Sequence, residues 1–324
     1  MELGGLHHVT AVTGNAAVNL DFYTRVLGLR LVKKTVNQDN VSAYHLFYAD
    51  GEGNPGTEVT FFDWPTVGPN VPGTGSIAAI GLRVPGRQAL DWWQQRFDEL
   101  DVTHSAVEAR GGRSMLPFED PEGQRLVLVA DTGGGMEQGV PWDTSPVPAE
   151  MQIRGLNHVL LTVEQLTPTA LVLTDVLGFR QADSYALPEN PSRQIVVFET
   201  GHGSFGTEVH VEEMPKQRSG RVGIGGVHHI AFRTPTDEEH HQWRDRVASF
   251  RLGITDVIDR YYFRSLYFRE PGHVLYEIAT DGPGFAVDED ASCLGESVVL
   301  PPFLEPRRAE IESGLRPLDT SQVG

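Results

Sequence analysis

The sequence predicts an α+β fold of four βαβββ modules, arranged as two tandem homologous halves. Two observations predict it. One register recurs at a constant offset of 150 residues along most of the chain, and a weaker repetition divides each half again. Repeats are sought before motifs because they decide the architecture. Gly5-Leu6 recurs as Gly155-Leu156, and His8-Val9 as His158-Val159. "VLGL" at Val26 to Leu29 returns as "VLGF" at Val176 to Phe179, and "GTEV" at Gly56 to Val59 returns at Gly206 to Val209. Ile80, Arg83, Pro85, Trp93 and Arg96 correspond to Ile230, Arg233, Pro235, Trp243 and Arg246, and "LPFEDP" from Leu116 corresponds to "LYFREP" from Leu266.

Each module opens on an alternating strand, near Leu6, Ile77, Leu156 and Val227, as in "HVTAV" or "HIAFR". A helical stretch follows: "AAVNLDFYTRVLG", "QALDWWQQRFDEL", "PTALVLTDVLG" and "DEEHHQWRDRVASF". In the first, Val18, Phe22 and Val26 recur four apart, which predicts one apolar face, and Gly28 suits the C-cap. Short strands such as "AYHLFYAD", "TEVTFF", "RQIVVFET" and "VLYEIAT" complete the modules. The halves divide as 1–150, with modules at about 5–66 and 76–132, and 151–324, with modules at about 154–213 and 226–282 plus a tail. A Gly/Pro-rich connection from about Thr132 to Gln152 joins them, and the tail from Leu300 has too little periodicity to form a domain.

Composition narrows the function. Hydrophobic residues make up 40% and charged residues 22%, the profile of a soluble globular protein. With 26 Lys and Arg against 44 Asp and Glu, the net charge is -18, which disfavours nucleic acid and anionic membrane as partners. The single cysteine, Cys293, excludes an intramolecular disulfide and a multi-cysteine metal site. The chain starts directly on a strand without a leader and has no apolar run of about 20 residues, so a cytoplasmic location is expected. Oligomeric state stays open, a homo-oligomer included.

The four modules, the "FYxxVLG" helix and the histidine on the opening strand resemble the vicinal-oxygen-chelate superfamily, which includes glyoxalase I, extradiol ring-cleaving dioxygenases and resistance proteins. The resemblance covers almost the whole chain and implies mixed sheets curled into metal-binding cups. Fold alone does not give function.

Strand alternation puts His8 and Thr10 on one face and turns His7 away. The matching positions of the other opening strands are Ala79, His158 and His229; on the closing strands they are Phe61, Val127, Val211 and Glu277. Glu58 and Glu208, three residues before Phe61 and Val211, are expected on the opposite face, solvated or satisfied structurally. The inner-face set is therefore His8, His158, His229 and Glu277. Two histidines with one carboxylate form the facial triad of non-haem Fe(II) oxygenases, which leaves positions open for substrate and dioxygen. A glyoxalase-type isomerase would want a second inner-face Glu. A lone strand histidine is usually a core residue, but an unpaired carboxylate inside "VLYEIA" is costly to bury and points to a metal. His240 and His241 are expected to face solvent, and His45, His104, His202, His210 and His273 lack a matching carboxylate.

Two triads follow: His158, His229 and Glu277, as expected of catechol extradiol enzymes, or His8, His229 and Glu277. Polar Thr10 beside His8, where Leu160 stands beside His158, favours the second. The stretches "LHHVTAVTGNAAVNLDFYTRVLGLRLVKKTVNQDN", "GNPGTEVTFFDWP", "LPPFLEPRRAEIE" and "DRYYFRSLYFREPGHVLYEI" resemble the hydroquinone ring-cleaving dioxygenases. That resemblance implies His8, His229 and Glu277 as ligands of Fe(II), with Mn(II) an alternative, and dioxygen as co-substrate with a small dihydroxylated aromatic. It further implies roles at Thr10, His228, Arg260 and Tyr267, and a supporting place for His7. On an ideal strand His7 and His228 turn away from the cup, so their part requires a local twist. Tyr267 gains support from the repeat: its second-module counterpart is Pro117, lost together with the ligand positions at Ala79 and Val127. A metal-dependent isomerase and a non-catalytic small-molecule binder are the competing classes.

Overall fold

Strand pairing in the computed structural model, which describes residues 1–188 and 190–320, does not follow the two sequence halves. The first module supplies β1 (Leu6–Thr13), β2 (Arg30–Asn37), β3 (Asn40–Ala49) and β4 (Glu58–Asp63). The second supplies β5 (Ser76–Val84), β6 (Glu108–Arg110), β7 (Arg113–Glu119) and β8 (Arg125–Ala130). β9 (Leu156–Val163), β10 (Arg180–Leu187), β11 (Asn190–Glu199) and β12 (Glu208–Glu213) form the third. The fourth holds β13 (Gly226–Thr234), β14 (Ile258–Asp259), β15 (Arg264–Arg269) and β16 (Leu275–Thr280).

One eight-stranded sheet runs β14-β15-β16-β13-β1-β4-β3-β2, joining module four to module one. The other runs β10-β11-β12-β9-β5-β8-β7-β6, joining module three to module two. The repeat unit is the half, but the sheet unit takes one module from each half. At the centre of the first sheet β1 pairs antiparallel with β13, while β1 with β4 and β13 with β16 run parallel. Two sequence-distant histidine strands thus become neighbours.

The helices α1 (Ala16–Asp21), α2 (Gly86–Glu99), α3 (Leu166–Leu171) and α4 (Asp237–Ser249) pack a shared apolar core against the sheets, and α5 (Arg308–Gly314) lies in the tail. The helix expected from Val18, Phe22 and Val26 is real but its face is not. After α1 the chain widens into a π-helical turn at Phe22–Val26, closed by Leu27 N–H donating to Phe22 O at 2.9 Å. Ala16, Asn19 and Leu20 face inward, the wide turn carries both Phe22 and Tyr23 inward, and Val18 is left 40% exposed. The same turn recurs at Val172–Val176 after α3. Gly28 follows the first turn at φ +69°, as its C-cap role requires.

His240 departs from expectation. It is fully buried with Trp243 and Val247 on one face of α4, its Nε2 2.9 Å from Ile278 O, whereas His241 faces out. The tail makes no domain of its own: Leu300, Leu304 and Ile311 pack on Val36 of β2. Tyr44 Oη donates to Arg316 O at 2.8 Å and Lys34 Nζ to Leu318 O at 2.7 Å. Among the described residues no helix is long and apolar enough to cross a membrane.

Candidate metal centre

His8 on β1, His229 on β13 and Glu277 on β16 converge on the inner face of the first sheet. His8 Nε2 lies 3.3 Å from His229 Nε2 and 3.3 Å from Glu277 Oε2, and His229 Nε2 lies 2.9 Å from the same oxygen. All three side chains are buried. Neither Glu277 oxygen receives a hydrogen bond of proper geometry, although two imidazole nitrogens stand this close. Burial opposes ionisation of Glu277, but His8 and His229 outweigh it and hold the carboxyl well below its ordinary range. Donors at about 2.0–2.2 Å from a divalent ion, set at right angles, would stand about 3 Å apart. A buried carboxylate without a donor, in a triangle of that size, fits a metal ion.

Each histidine ligand candidate is oriented by the residue before it. His7 Nδ1 is 2.9 Å from His8 Nδ1, and His228 Nδ1 is 2.8 Å from His229 Nδ1. His7 Nε2 is 3.1 Å from Thr280 O, a pure acceptor, so that nitrogen carries hydrogen. Burial pushes the His7 imidazole well below its ordinary pKa, which keeps it neutral and leaves Nδ1 bare. His8 then donates from Nδ1, which leaves Nε2, the nitrogen turned toward Glu277, to carry a proton or meet a metal ion. Register shifts in the β1–β13 pairing, between Leu6 and His8 and between Thr10 and Ala11, supply the twist that strand alternation lacks.

Register corrects the face assignment on the closing strands. Ala231 pairs with Glu277, and its counterpart Thr10 pairs with Thr60. Leu160, the third-module counterpart, pairs with His210. The positions matching Glu277 are therefore Thr60 and His210, not Phe61 and Val211. Glu58 and Glu208 share the inner face, opposite His8 and His158, and both are buried. Neither is solvated. Glu58 Oε2 has no hydrogen-bond partner, and burial pushes this carboxyl well above its ordinary pKa. Its nearest basic group is His7 Nδ1 at 3.9 Å. His7, His8 and Glu58 form a second cluster of potential metal ligands, but through Nδ1 atoms already engaged with each other.

Above the triad opens a pocket with Phe47, Phe62 and Phe263 among its walls. Arg260 and Tyr267 line it as well. The Tyr267 ring meets His229 edge-on at 5.6 Å, and Arg260 Cζ lies 5.5 Å from the Tyr267 centroid. Burial, then the charge of Glu277, pushes the Tyr267 hydroxyl upward, so it stays a donor at neutral pH. Arg260 donates to Asp39 at 3.2 and 2.8 Å, and Gln38 Nε2 to Arg260 O at 2.8 Å, tying the β2–β3 turn across the mouth. Thr10 is buried and its hydroxyl is 2.8 Å from that of Thr60.

Two sequence comparisons and one structural one bear on this site. The model of the Glyoxalase/Bleomycin resistance protein/Dioxygenase superfamily matches residues 5–128 and 155–278. The chain belongs to this superfamily. It is 49% identical over 321 residues to MhqA of Bacillus subtilis (strain 168), named as a candidate ring-cleaving dioxygenase, covering 98% of this chain and 100% of that protein. It is 32% identical over 314 residues to a chlorohydroquinone/hydroquinone 1,2-dioxygenase of Sphingobium indicum, covering 95% and 94%. A crystal structure of a candidate dioxygenase from Bacillus subtilis subsp. subtilis str. 168 superposes with a TM-score of 0.89 at 37% identity, covering 98% of each chain.

In the second sheet the equivalent side chains bond to one another beside a separate pocket lined by Arg113, Tyr185, Glu208 and His210. His158 lies in the second sheet, apart from His229 and Glu277, so the alternative triad is not assembled. Its ring stacks on His210 at 4.0 Å, and Nδ1 is 2.6 Å from Asn157 Oδ1. Arg113 clamps Glu208 through two bonds of 2.6 Å, His210 Nε2 donates to Glu208 at 2.9 Å, and Tyr185 Oη is 3.1 Å from His210 Nδ1. Glu208 is thus paired with Arg113 and His210, while the buried Asn157 Nδ2 has no hydrogen-bond partner. His45, set aside for want of a neighbouring carboxylate, proves to line the first pocket, bonded to Thr60 from the adjacent strand.

Proposed function

We propose that the protein is a metal-dependent ring-cleaving dioxygenase acting on a hydroquinone-type aromatic, with His8, His229 and Glu277 as the metal ligands. The observation that carries this reading is the triangle of two imidazole nitrogens and an undonated, buried carboxylate at the base of an aromatic-walled pocket. Two histidines and one carboxylate suit Fe(II), and Mn(II) is the alternative that the same donors accept. When bound, Fe(II) would supply the one-electron chemistry that lets dioxygen react with a closed-shell phenol. Incorporating both oxygen atoms opens the ring beside a hydroxyl group.

The chain's own residues bind and orient. Phe47, Phe62 and Phe263 hold the ring and exclude water. The Arg260 guanidinium attracts negative charge on the ring oxygen, and the Tyr267 hydroxyl donates a hydrogen bond where charge develops. His7 and His228 fix the imidazoles that face Glu277, and Thr10 orders the floor beside His8. Similarity to the chlorohydroquinone/hydroquinone 1,2-dioxygenase supports a para-dihydroxylated ring over a catechol.

The test is anaerobic loading with Fe(II), addition of hydroquinone or catechol, and admission of oxygen. A stoichiometric oxygen burst with hydroquinone is expected. A metal-loaded protein that binds these phenols and consumes no oxygen would be a binder, and the proposal would fail.

A further inference from the structure

We propose that His45 is a substrate-binding residue that holds the ring oxygen opposite the one at the metal ligands, selecting para- over ortho-dihydroxylated rings. The inference rests on the ring-cleaving reading above and assigns that site a specificity determinant. His45 lies on β3, in the pocket wall, with Nε2 3.0 Å from Thr60 Oγ1. Its Nδ1 has no hydrogen-bond partner among the described residues, and the residue lines the pocket. The ring is fixed between Phe47, at 4.0 Å, and Phe62, at 4.5 Å. A polar group held rigidly between two phenylalanines, with one nitrogen spoken for and one free, is suited to meet a ligand.

The floor beneath supports the same reading. Thr60 Oγ1 is also 2.8 Å from Thr10 Oγ1, so a hydrogen-bonded line runs from the strand of His8 to His45. A hydroxyl can both donate and accept, so this line leaves Nδ1 of His45 free to do either. A phenolic hydroxyl has the same versatility. The second sheet shows what happens where the triad is missing. Offset by 150 residues, Thr10, Thr60 and His45 become Leu160, His210 and Ile195. Leu160 and Ile195 break the line at both ends, although His210 stays polar, and the position matching Glu277 carries no carboxylate there either.

Position selects the ring isomer. β3 lies two strands from β1, and neighbouring strands are about 4.8 Å apart, which separates their backbones by about 10 Å. The adjacent oxygens of an ortho-dihydroxylated ring both stay near the triad. A para-dihydroxylated ring projects its second oxygen across the floor toward β3.

The experiment compares anaerobic binding of hydroquinone, phenol and catechol to the metal-loaded protein, with metal content measured alongside. In His45→Phe, hydroquinone affinity should fall about tenfold, near the upper end of one net hydrogen bond, while phenol and catechol shift less than about twofold. Metal content should be unchanged. His45→Leu gives the same comparison if the larger ring disturbs the Phe47–Phe62 packing. An unchanged hydroquinone-to-phenol affinity ratio overturns the role of His45 and leaves the dioxygenase reading intact. Failure of the wild-type, metal-loaded protein to bind hydroquinone overturns both.

Discussion

The Nε2 atoms of His8 and His229 lie 3.3 Å apart although 221 residues separate them. That proximity exists because β1 and β13 are neighbours, whereas His158 sits on β9 in the other sheet. Removing the proposed ligand His8 should therefore act differently from removing its repeat counterpart His158. His8→Ala should lose metal retention by more than the roughly 10–100-fold that loss of a supporting residue costs. His158→Ala should retain metal as the wild type does. Metal content after anaerobic loading and desalting checks both, and the reverse pattern would move the site to the second sheet.

His7 offers a graded counterpart. Its bonds to His8 Nδ1 and Thr280 O fix which nitrogen of His8 faces Glu277. His7→Leu keeps all three ligands but frees the imidazole, so metal affinity should fall by roughly 10–100-fold without being abolished. A competition titration against a chelator measures it. Loss as complete as in His8→Ala would show that His7 does more than orient its neighbour.

The modules were legible because each carries its own local pattern: alternation, a helical stretch, then short strands. Which modules share a sheet was harder to read, since pairing of β1 with β13 depends on how connections route through space. Counting residues between repeats also misplaced the closing strands of the first and third modules by one position, while Val127 of the second does match Glu277. Thr60, not Phe61, matches Glu277, because strand register is set by pairing and an offset in sequence does not report it. The same limit hid His45, whose partner Thr60 is fifteen residues away but on the adjacent strand. His240 was misread because charged neighbours on α4 masked a buried face at His240, Trp243 and Val247. By contrast, Glu277 inside an apolar strand stood out from sequence, since nothing but a partner makes such burial tolerable.

The Glu208 network of the second sheet predicts an acid-sensitive stability term. Burial raises the Glu208 carboxyl, but the hydrogen bonds from His210 and Arg113 outweigh it and hold the group at about 2, against an ordinary value of 4.5. A folded pKa below the unfolded one means that this stability is fully present above about pH 4.5. It is lost as pH falls toward 2, where the unfolded chain binds the proton more readily. His210, lowered by its burial, adds a loss that begins below its ordinary 6.5. Urea unfolding measured across this range should show Glu208→Gln with a shallower pH dependence between 4.5 and 2, by about one proton. An unchanged slope would mean that Glu208 is not held below its ordinary pKa in the folded protein, and the term would fail.

The clamp across the pocket mouth should govern binding more than stability. Asp39 is 74% exposed at its side chain while Arg260 is 18% exposed, so their ion pair is a rim contact. Pairs of this kind contribute about 0–1 kcal/mol. Asp39→Asn should accordingly leave the unfolding midpoint within about 2 °C of wild type. Yet Arg260 also lies over Tyr267, and freeing its guanidinium removes a fixed charge from the mouth where a phenolic substrate enters. KM should rise several-fold, with kcat changing less, because the lost restraint affects docking more than the ligand triangle below. Steady-state oxygen consumption against hydroquinone concentration separates the two constants. A fall in kcat at constant KM would instead place Arg260 at the ring-opening step, with Asp39 needed to hold it there.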